Sequence, residues 1–109
     1  MRVLAVEGCG QAPLAAAAAF HALVLPQAEA ALAADDLLLV FAPGDHAQRG
    51  WRLAAVQGLA RAYAPRRVNG IESDDPLACG AATRFLAGAA GITGQILSLD
   101  SQGAGAVIG

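Results

Sequence analysis

Few side chains in this sequence could perform nucleophilic chemistry, and Cys9 is the first candidate. It stands in the turn sequence Gly-Cys-Gly, while Asp45 and His46 follow a later apolar run. A cysteine thiol beside a histidine base that an aspartate orients is the arrangement of a thiol enzyme. Adjacent aspartate and histidine side chains usually diverge, however, and Gly-Cys-Gly is equally typical of a tight turn around a small packed thiol. The pattern therefore favours a structural Cys9 and keeps a thiol enzyme as an alternative.

Metal and dinucleotide sites have weaker support from residue spacing. Four side chains have the ligand types of a zinc site, namely Cys9, His21, His46 and Cys79. No close Cys-x-x-Cys or His-x-x-x-His pair accompanies them, so we predict no metal. The segment GAGAVIG at 103–109 resembles a dinucleotide-binding turn, but this sequence offers no helix after it whose N-terminus could hold a phosphate. We therefore expect no cofactor.

Composition and charge are those of one globular domain. The chain has 109 residues, of which 56% are hydrophobic, and a net charge of -2. Because alanine supplies much of the hydrophobic content and the arginines are scattered, we predict neither a membrane span nor a nucleic-acid surface. The one adjacent pair, Arg66 and Arg67, follows a predicted helix end and suits the helix dipole without a ligand. Two distant cysteines and no recognisable signal peptide favour a cytoplasmic protein.

Apolar runs and turn residues divide the chain into alternating strands and helices. We predict strands at 3–7, 37–41, 67–71 and 94–100, and helices at 13–34, 50–64 and 76–90. The run at 37–41 is the clearest strand, since Asp36 and Pro43 bound an apolar segment that is too short for a helix. Pro26 lies inside the first helix, where its ring displaces the carbonyl four residues earlier. We therefore predict a kink or a split at this point.

The order β-α-β-α-β-α-β predicts an α/β fold with a parallel sheet of about four strands and helices on both faces. We assign residues 1–100 to this domain and residues 101–109, which are small and rich in glycine, to a C-terminal tail. Ligands of such sheets bind beyond the carboxyl ends of the strands. The candidate ligand edge consists of Cys9, Asp45, His46 and Asp74.

Two segments of the chain resemble a known family. LAAVQGLARAYAPRRVNGIE at 53–72 and ATRFLAGAAGITGQILSLD at 82–100 are similar to the short-chain dehydrogenase/reductase (SDR) family. In that family an alanine-rich helix precedes an Arg-Val-Asn strand, and a Phe-Leu helix precedes an Ile-Thr-Gly-Gln strand. Residues 3–10 and 23–42 are similar less sharply. The resemblance implies a partial Rossmann-like sheet that corresponds to the C-terminal half of the SDR fold.

The resemblance also implies which chemistry is absent. SDR enzymes pass a hydride between NAD(P) and an alcohol or ketone, with a glycine-rich turn for the dinucleotide and a catalytic Asn, Ser, Tyr and Lys. The nucleotide-binding half would precede Met1. The matched catalytic positions fall near Ala18, Ala42, Arg49 and Leu53, and the chain has no lysine. Methyl and guanidinium groups cannot act as the tyrosine acid/base or lower its pKa, so we predict a pseudoenzyme without catalytic residues.

The helices at 13–34 and 50–64 correspond to those through which SDR subunits pair, and we expect the first strand to leave an unpaired edge. Candidate interface residues are His21, Trp51, Leu59 and Tyr63. We therefore predict a truncated, catalytically inert SDR-like protein that acts by oligomerising, with itself or with a full-length short-chain dehydrogenase. The alternative is a small-molecule or nucleotide binding module at the candidate ligand edge.

Overall fold

A computed structural model of the chain describes residues 1–99 and 105–108. These residues form a sheet with the strand order β1-β2-β3-β4-β5. The strands are β1 (Arg2–Val6), β2 (Leu37–Phe41), β3 (Val68–Glu72), β4 (Ile96–Leu99) and β5 (Gly105–Ile108). The helices are α1 (Pro13–Ala19), α2 (Leu25–Leu32), α3 (Arg49–Ala62) and α4 (Pro76–Gly88), with a π-helical turn at Phe20–Val24 and a 3-10 turn at His46–Gln48.

The first four strands run parallel and lie in the sheet in their sequence order. β1 pairs with β2, β2 with β3, and β3 with β4. Helices lie between successive strands along the chain, as crossover connections between parallel strands require. The predicted α/β fold, with a four-stranded parallel sheet of Rossmann-like type, is confirmed.

The fifth strand departs from the prediction of a C-terminal tail. β5 pairs antiparallel with β4, so that Ile96 lies opposite Ile108 and Leu99 opposite Gly105. Backbone hydrogen bonds along a strand edge hold such a strand, and its sequence, Gly-Ala-Val-Ile, is too short an apolar run to distinguish it from a tail. The remaining residues of the predicted tail, 101–104 and 109, lie outside the described residues.

Alternate side chains of β2 enter two cores on opposite faces of the sheet. Leu37, Leu39 and Phe41 pack with the π turn, α2 and α3 on one face. Leu38 packs with Ile71 and with residues of α4 on the other. Because side chains alternate between the faces of a strand, a strand that is buried throughout needs cover on both sides. The prediction of helices on both faces is confirmed.

The helix that contains Pro26 changes its type just before this residue. Pro13–Leu32 is continuous over 20 residues, but Phe20–Val24 is π-helical between two α-helical segments. Pro26 has no N–H to donate, and its ring displaces the carbonyl of Ala22. A π turn shifts the hydrogen bonds of this stretch and so accommodates the proline. The predicted interruption thus takes the form of a π turn.

This helix is also long and apolar enough to cross a membrane. Phe20, Val24 and Ala28, however, are buried in the core that the helix shares with the sheet. The core helix of a globular domain meets the same criteria of length and composition, and packing on the sheet accounts for the apolar residues on this side of the helix.

Asn69, in the Arg-Val-Asn motif at the start of β3, holds the loop that leads into β4. Its side chain is buried. Nδ2 donates to the carbonyl oxygen of Ile92 at 2.9 Å, and Oδ1 accepts from the backbone N–H of Gln95 at 3.1 Å. A buried amide that satisfies two backbone groups fixes the course of a loop, so the motif has a structural use in this chain.

Candidate functional site

The carboxyl ends of β1, β2 and β3 meet at one edge of the sheet, and the four predicted ligand-edge residues follow these strands. Cys9 lies in the loop after β1, Asp45 and His46 after β2, and Asp74 after β3. Cys9 is half-buried, whereas the other three are exposed. Of the four, only Cys9 lines the cavity that opens at this edge.

Two acidic residues of these loops, Asp45 and Asp75, cap helices. Asp45 Oδ1 accepts a hydrogen bond from the backbone N–H of Ala47 at 3.1 Å, at the start of the 3-10 turn. Asp75 Oδ1 accepts from the N–H of Leu77 at 2.9 Å at the start of α4. Such caps satisfy backbone donors that the helix leaves free. Within the described contacts, no hydrogen bond joins Asp45 to His46.

The environment of Cys9 does not activate its thiol. Burial raises the pKa of the Cys9 thiol above its ordinary value, and the Arg52 guanidinium opposes this rise. Sγ donates weakly to the carbonyl oxygen of Glu7 at 3.8 Å. A catalytic cysteine needs a lowered pKa to supply thiolate at neutral pH. The raised pKa of Cys9 therefore favours its structural role over a thiol enzyme.

The residues with zinc-ligand chemistry are dispersed over the fold. His21 lies in the π turn and Cys79 in α4, and these two elements pack on opposite faces of the sheet. In the part of the chain that the structure describes, no three Cys, His, Asp or Glu side chains lie close enough together to hold a metal ion.

A buried ion pair that the sequence patterns did not reveal lies beneath the carboxyl edge. Arg52 Nη1 donates to Glu72 Oε2 at 2.5 Å and to the carbonyl oxygen of Ala42 at 2.8 Å. The two side chains are 10% and 5% exposed. The available signal is helical spacing, since Arg52 shares the buried stripe of α3 with Ala55 and Leu59. An arginine on a buried stripe must find a charged partner.

The Arg52 guanidinium is enclosed on several sides. Its Cζ lies 4.9 Å from the ring centre of Phe41 and 5.8 Å from that of Trp51. A Cβ added at Gly44 would lie 2.9 Å from Nη1, so a side chain at Gly44 would displace the guanidinium. Arg52 Nε is buried and has no hydrogen-bond acceptor among the described residues. The Nε–H of Arg52 is thus left without an acceptor in the described part of the chain, although the guanidinium is held in place by its other contacts.

A cavity of about 320 Å³ opens beside Arg52, between the loop after β1, the end of β2 and α3. We call it the edge cavity. Gly8 and Gly10 in its wall have φ angles of +75° and +82°, which glycine adopts without steric cost. Phe41 and Trp51 supply aromatic surface. The cavity therefore combines an apolar wall with the cation of Arg52.

Trp51 belongs to the core and to the edge cavity. Its ring centre lies 5.4 Å from that of Phe20 and 6.1 Å from that of Phe41, and its Nε1 donates to Gln48 Oε1 at 2.6 Å. Gln48 Nε2 donates in turn to the carbonyl oxygen of Gln11 at 2.5 Å, which joins α3 to the loop after β1. Trp51 thus lines the edge cavity, which none of the other three predicted interface residues does.

Those three residues line a second cavity of about 280 Å³, which forms a groove between α3 and the helix that ends in α2. We call it the helix groove. His21 is exposed, and its Nδ1 lies 2.7 Å from the carbonyl oxygen of Ala17. Leu59 is buried and Tyr63 is half-buried. Two of the predicted interface side chains are therefore accessible along one groove.

Small residues and a strong hydrogen bond shape the helix groove. Ala54, Gly58 and Ala62 of α3 line it at intervals of four residues, a spacing that places them on one side of the helix. Tyr63 OH donates to Glu29 Oε2 at 2.5 Å across the groove. This hydrogen bond and the negative charge of Glu29 raise the pKa of the Tyr63 hydroxyl above its ordinary value.

β1 forms one edge of the described sheet, as the sequence predicts, because it pairs only with β2. Val3 is 51% exposed and lies opposite Leu38, on the sheet face that α4 covers further along. Unpaired strand edges and exposed apolar side chains favour association with other chains.

Comparison with known proteins identifies a relationship at the level of a family. The family model SDR-like, described as short chain dehydrogenase-like protein, matches residues 4–99. No curated protein and no solved structure matches the chain. The match begins within β1 and covers the other three parallel strands and the helices between them, so it includes both the edge cavity and the helix groove.

Proposed function

The chain belongs to the SDR-like family of short-chain dehydrogenase-like proteins, and we propose that it acts by assembly instead of hydride transfer. It pairs through the helix groove with a second copy of itself, or with a full-length short-chain dehydrogenase that it stabilises or regulates. The observation that carries this proposal is a largely apolar groove whose α3 wall includes the small residues Ala54, Gly58 and Ala62.

The groups that SDR chemistry requires have no counterparts in this sequence. The chain has no lysine, and its one tyrosine, Tyr63, lies at the end of α3. By the resemblance, the family's catalytic positions fall near Ala18, Ala42, Arg49 and Leu53. A tyrosine that acts as general acid/base near neutral pH needs a lowered pKa, whereas its contact with Glu29 raises the pKa of Tyr63. We infer a pseudoenzyme that retains the second half of the family fold.

Apolar side chains beside the helix groove would gain from a partner. Leu14 is 89% exposed and Ala18 is exposed. They precede His21 by seven and three residues, so they continue its side of the helix towards the N-terminus. Burial of apolar surface contributes about 25 cal/mol per Å². Small residues at Ala54 and Gly58 let a second helix approach closely enough to bury this surface.

The oligomeric state tests the proposal directly. We expect light scattering after size-exclusion chromatography to give the mass of a dimer at micromolar concentration. Ala54→Arg places a charged side chain in the helix groove and should shift the protein to monomer with little change in its thermal midpoint, because Ala54 is exposed. Ala81→Arg is the matched control, since Ala81 is an exposed alanine of α4, on the other face of the sheet.

Two results would overturn assembly as the function. One is a well-folded wild-type monomer that also fails to co-purify with a full-length short-chain dehydrogenase on co-expression. The other is equal dissociation by Ala54→Arg and Ala81→Arg, since the helix groove would then have no special role. Reduction of a nicotinamide cofactor by the purified chain would overturn the pseudoenzyme proposal separately.

A further inference from the structure

We propose that the edge cavity binds a small monocarboxylate with an apolar body, held by the free side of the Arg52 guanidinium. This inference concerns the carboxyl ends of β1 and β2 and does not depend on assembly at the helix groove. Of the predicted ligand-edge residues, only Cys9 lines this cavity. The proposal adds Arg52, which the sequence did not indicate as a ligand residue.

The hydrogen bonds of Arg52 leave one side of its guanidinium for a ligand. Arginine has five N–H donors in a planar fork. The Nη1 group donates to Glu72 and to the carbonyl oxygen of Ala42. Nε, on the opposite side, is buried and has no acceptor among the described residues. Since an unpaired buried donor is costly, a ligand acceptor that reaches Nε from the cavity, which Arg52 also lines, would relieve that cost.

A carboxylate matches the geometry of this free side. The Nε–H and one N–H of Nη2 point in parallel from the same side of a guanidinium, and two carboxylate oxygens can accept from both at once. Gly8–Gly10 line the same cavity, and they lie beyond Val6 and Phe41, the last pair of the β1–β2 ladder. Their backbone amides are therefore not engaged in that ladder. The N–H groups of this loop are therefore available, beside the Arg52 guanidinium, as further donors to an anionic ligand.

The rest of the cavity determines the body of the ligand. Val6, Phe41 and Trp51 line it with apolar surface, and a volume of about 320 Å³ suits a compact molecule. Glu7 also lines the cavity and is exposed, so a second negative charge on the ligand would meet repulsion. These features favour one carboxylate on an aromatic or short aliphatic body.

Glu72 already balances the charge of Arg52, so the alternative is that the cavity prefers a neutral ligand that only accepts hydrogen bonds. The test therefore compares 3-phenylpropionate with its neutral amide, 3-phenylpropionamide. Trp51 is the only tryptophan of the chain and lines the cavity, so its fluorescence reports binding. We expect a saturable change with the acid and a dissociation constant that is about tenfold higher, or more, for the amide.

Two conservative variants locate the binding site. Arg52→Lys keeps a positive charge near Glu72 but lacks the planar fork, and it should weaken 3-phenylpropionate binding by about tenfold or more. Arg61→Lys makes the same change at an exposed position of α3 outside the edge cavity and should leave binding unchanged. Circular dichroism checks that both variants are folded.

A second measurement serves if Arg52→Lys does not fold. Cys9 lines the cavity, so 3-phenylpropionate should slow its alkylation by iodoacetamide in a Cys79→Ala background, whereas the amide should not. The proposal is overturned if the acid neither changes Trp51 fluorescence nor protects Cys9. It is also overturned if acid and amide bind equally, or if Arg52→Lys and Arg61→Lys have the same effect.

Discussion

Asp36 and Arg67 form a two-point contact between the residues that precede β2 and β3. Asp36 Oδ1 accepts from the backbone N–H of Arg67 at 2.8 Å, and Oδ2 accepts from its Nε at 2.9 Å. Arg67 Nη1 also donates to the carbonyl oxygens of Leu86 at 3.0 Å and Ala89 at 2.6 Å. One arginine thus joins two strands to the C-terminal end of α4, where a cation stabilises the helix dipole.

Replacement of Arg67 by lysine should lower the free energy of unfolding by about 1–3 kcal/mol, since an ammonium cannot reach the carboxylate and both carbonyls together. Urea unfolding should show a lower midpoint with an unchanged slope. Arg66→Lys is the matched control, because no side-chain hydrogen bond of Arg66 occurs among the described contacts. Equal midpoints for the two variants would contradict the role of Arg67.

The same contact predicts a loss of stability in acid. The backbone N–H of Arg67, with its guanidinium, holds the pKa of Asp36 below the ordinary value. Its contribution is therefore complete above the unfolded pKa of about 3.9 and disappears as the pH falls through the lower folded pKa. Unfolding free energies measured against pH should differ between wild type and Asp36→Asn at neutral pH and converge in acid. Parallel curves would exclude this linkage.

Gly70 tests the packing at the centre of the sheet. A Cβ at this position would lie 3.1 Å from Phe41 Cε2, 3.2 Å from Ile96 Cγ1 and 3.4 Å from Val56 Cγ2. We expect Gly70→Ala to lower the free energy of unfolding by about 1–3 kcal/mol, as overpacking of a core does. Gly50→Ala in the first turn of α3 meets no atom within 4 Å and should raise it by roughly 0.5–1 kcal/mol. Thermal or urea unfolding of both variants tests this. A loss of stability in Gly70→Ala alone would assign the effect to the close contacts, whereas an equal loss in both variants would assign it to the removal of glycine.

The sequence predicts those elements whose residues carry a local signal. Leu37–Phe41 matches its prediction at both ends, because Asp36 and Pro43 bound an apolar run. The other parallel strands and the helices lie within a few residues of their predicted ranges. β5 was not predicted, because its apolar run of three residues at 106–108 is short and lies within the glycine-rich segment GAGAVIG.

The candidate site was harder to predict from the sequence than the strands and helices, because it depends on contacts between residues that are far apart in the chain. The partner of Arg52 is Glu72, twenty residues further along the chain, and spacing within α3 shows only that Arg52 is on the buried side. The contacts of Trp51 could not be predicted from spacing either, because its aromatic neighbours Phe20 and Phe41 lie on other elements. The resemblance to SDR proteins singled out the two helices that border the helix groove, whereas the edge cavity became visible only in the fold.

Tyr63 offers a test of the pseudoenzyme proposal that needs no partner. It is the only tyrosine of the chain, so a spectrophotometric titration of tyrosinate reports on this residue alone. Because the hydrogen bond to Glu29 raises the pKa of Tyr63, its titration should lie above the ordinary range, and Glu29→Gln, which removes the negative charge, should lower it. Glu7→Gln removes an exposed carboxylate that lines the edge cavity and not the helix groove, and should leave the titration unchanged. A wild-type titration below the ordinary value would instead be the behaviour of an SDR general acid/base, and it would contradict the assignment of Tyr63 to a structural role at the helix groove.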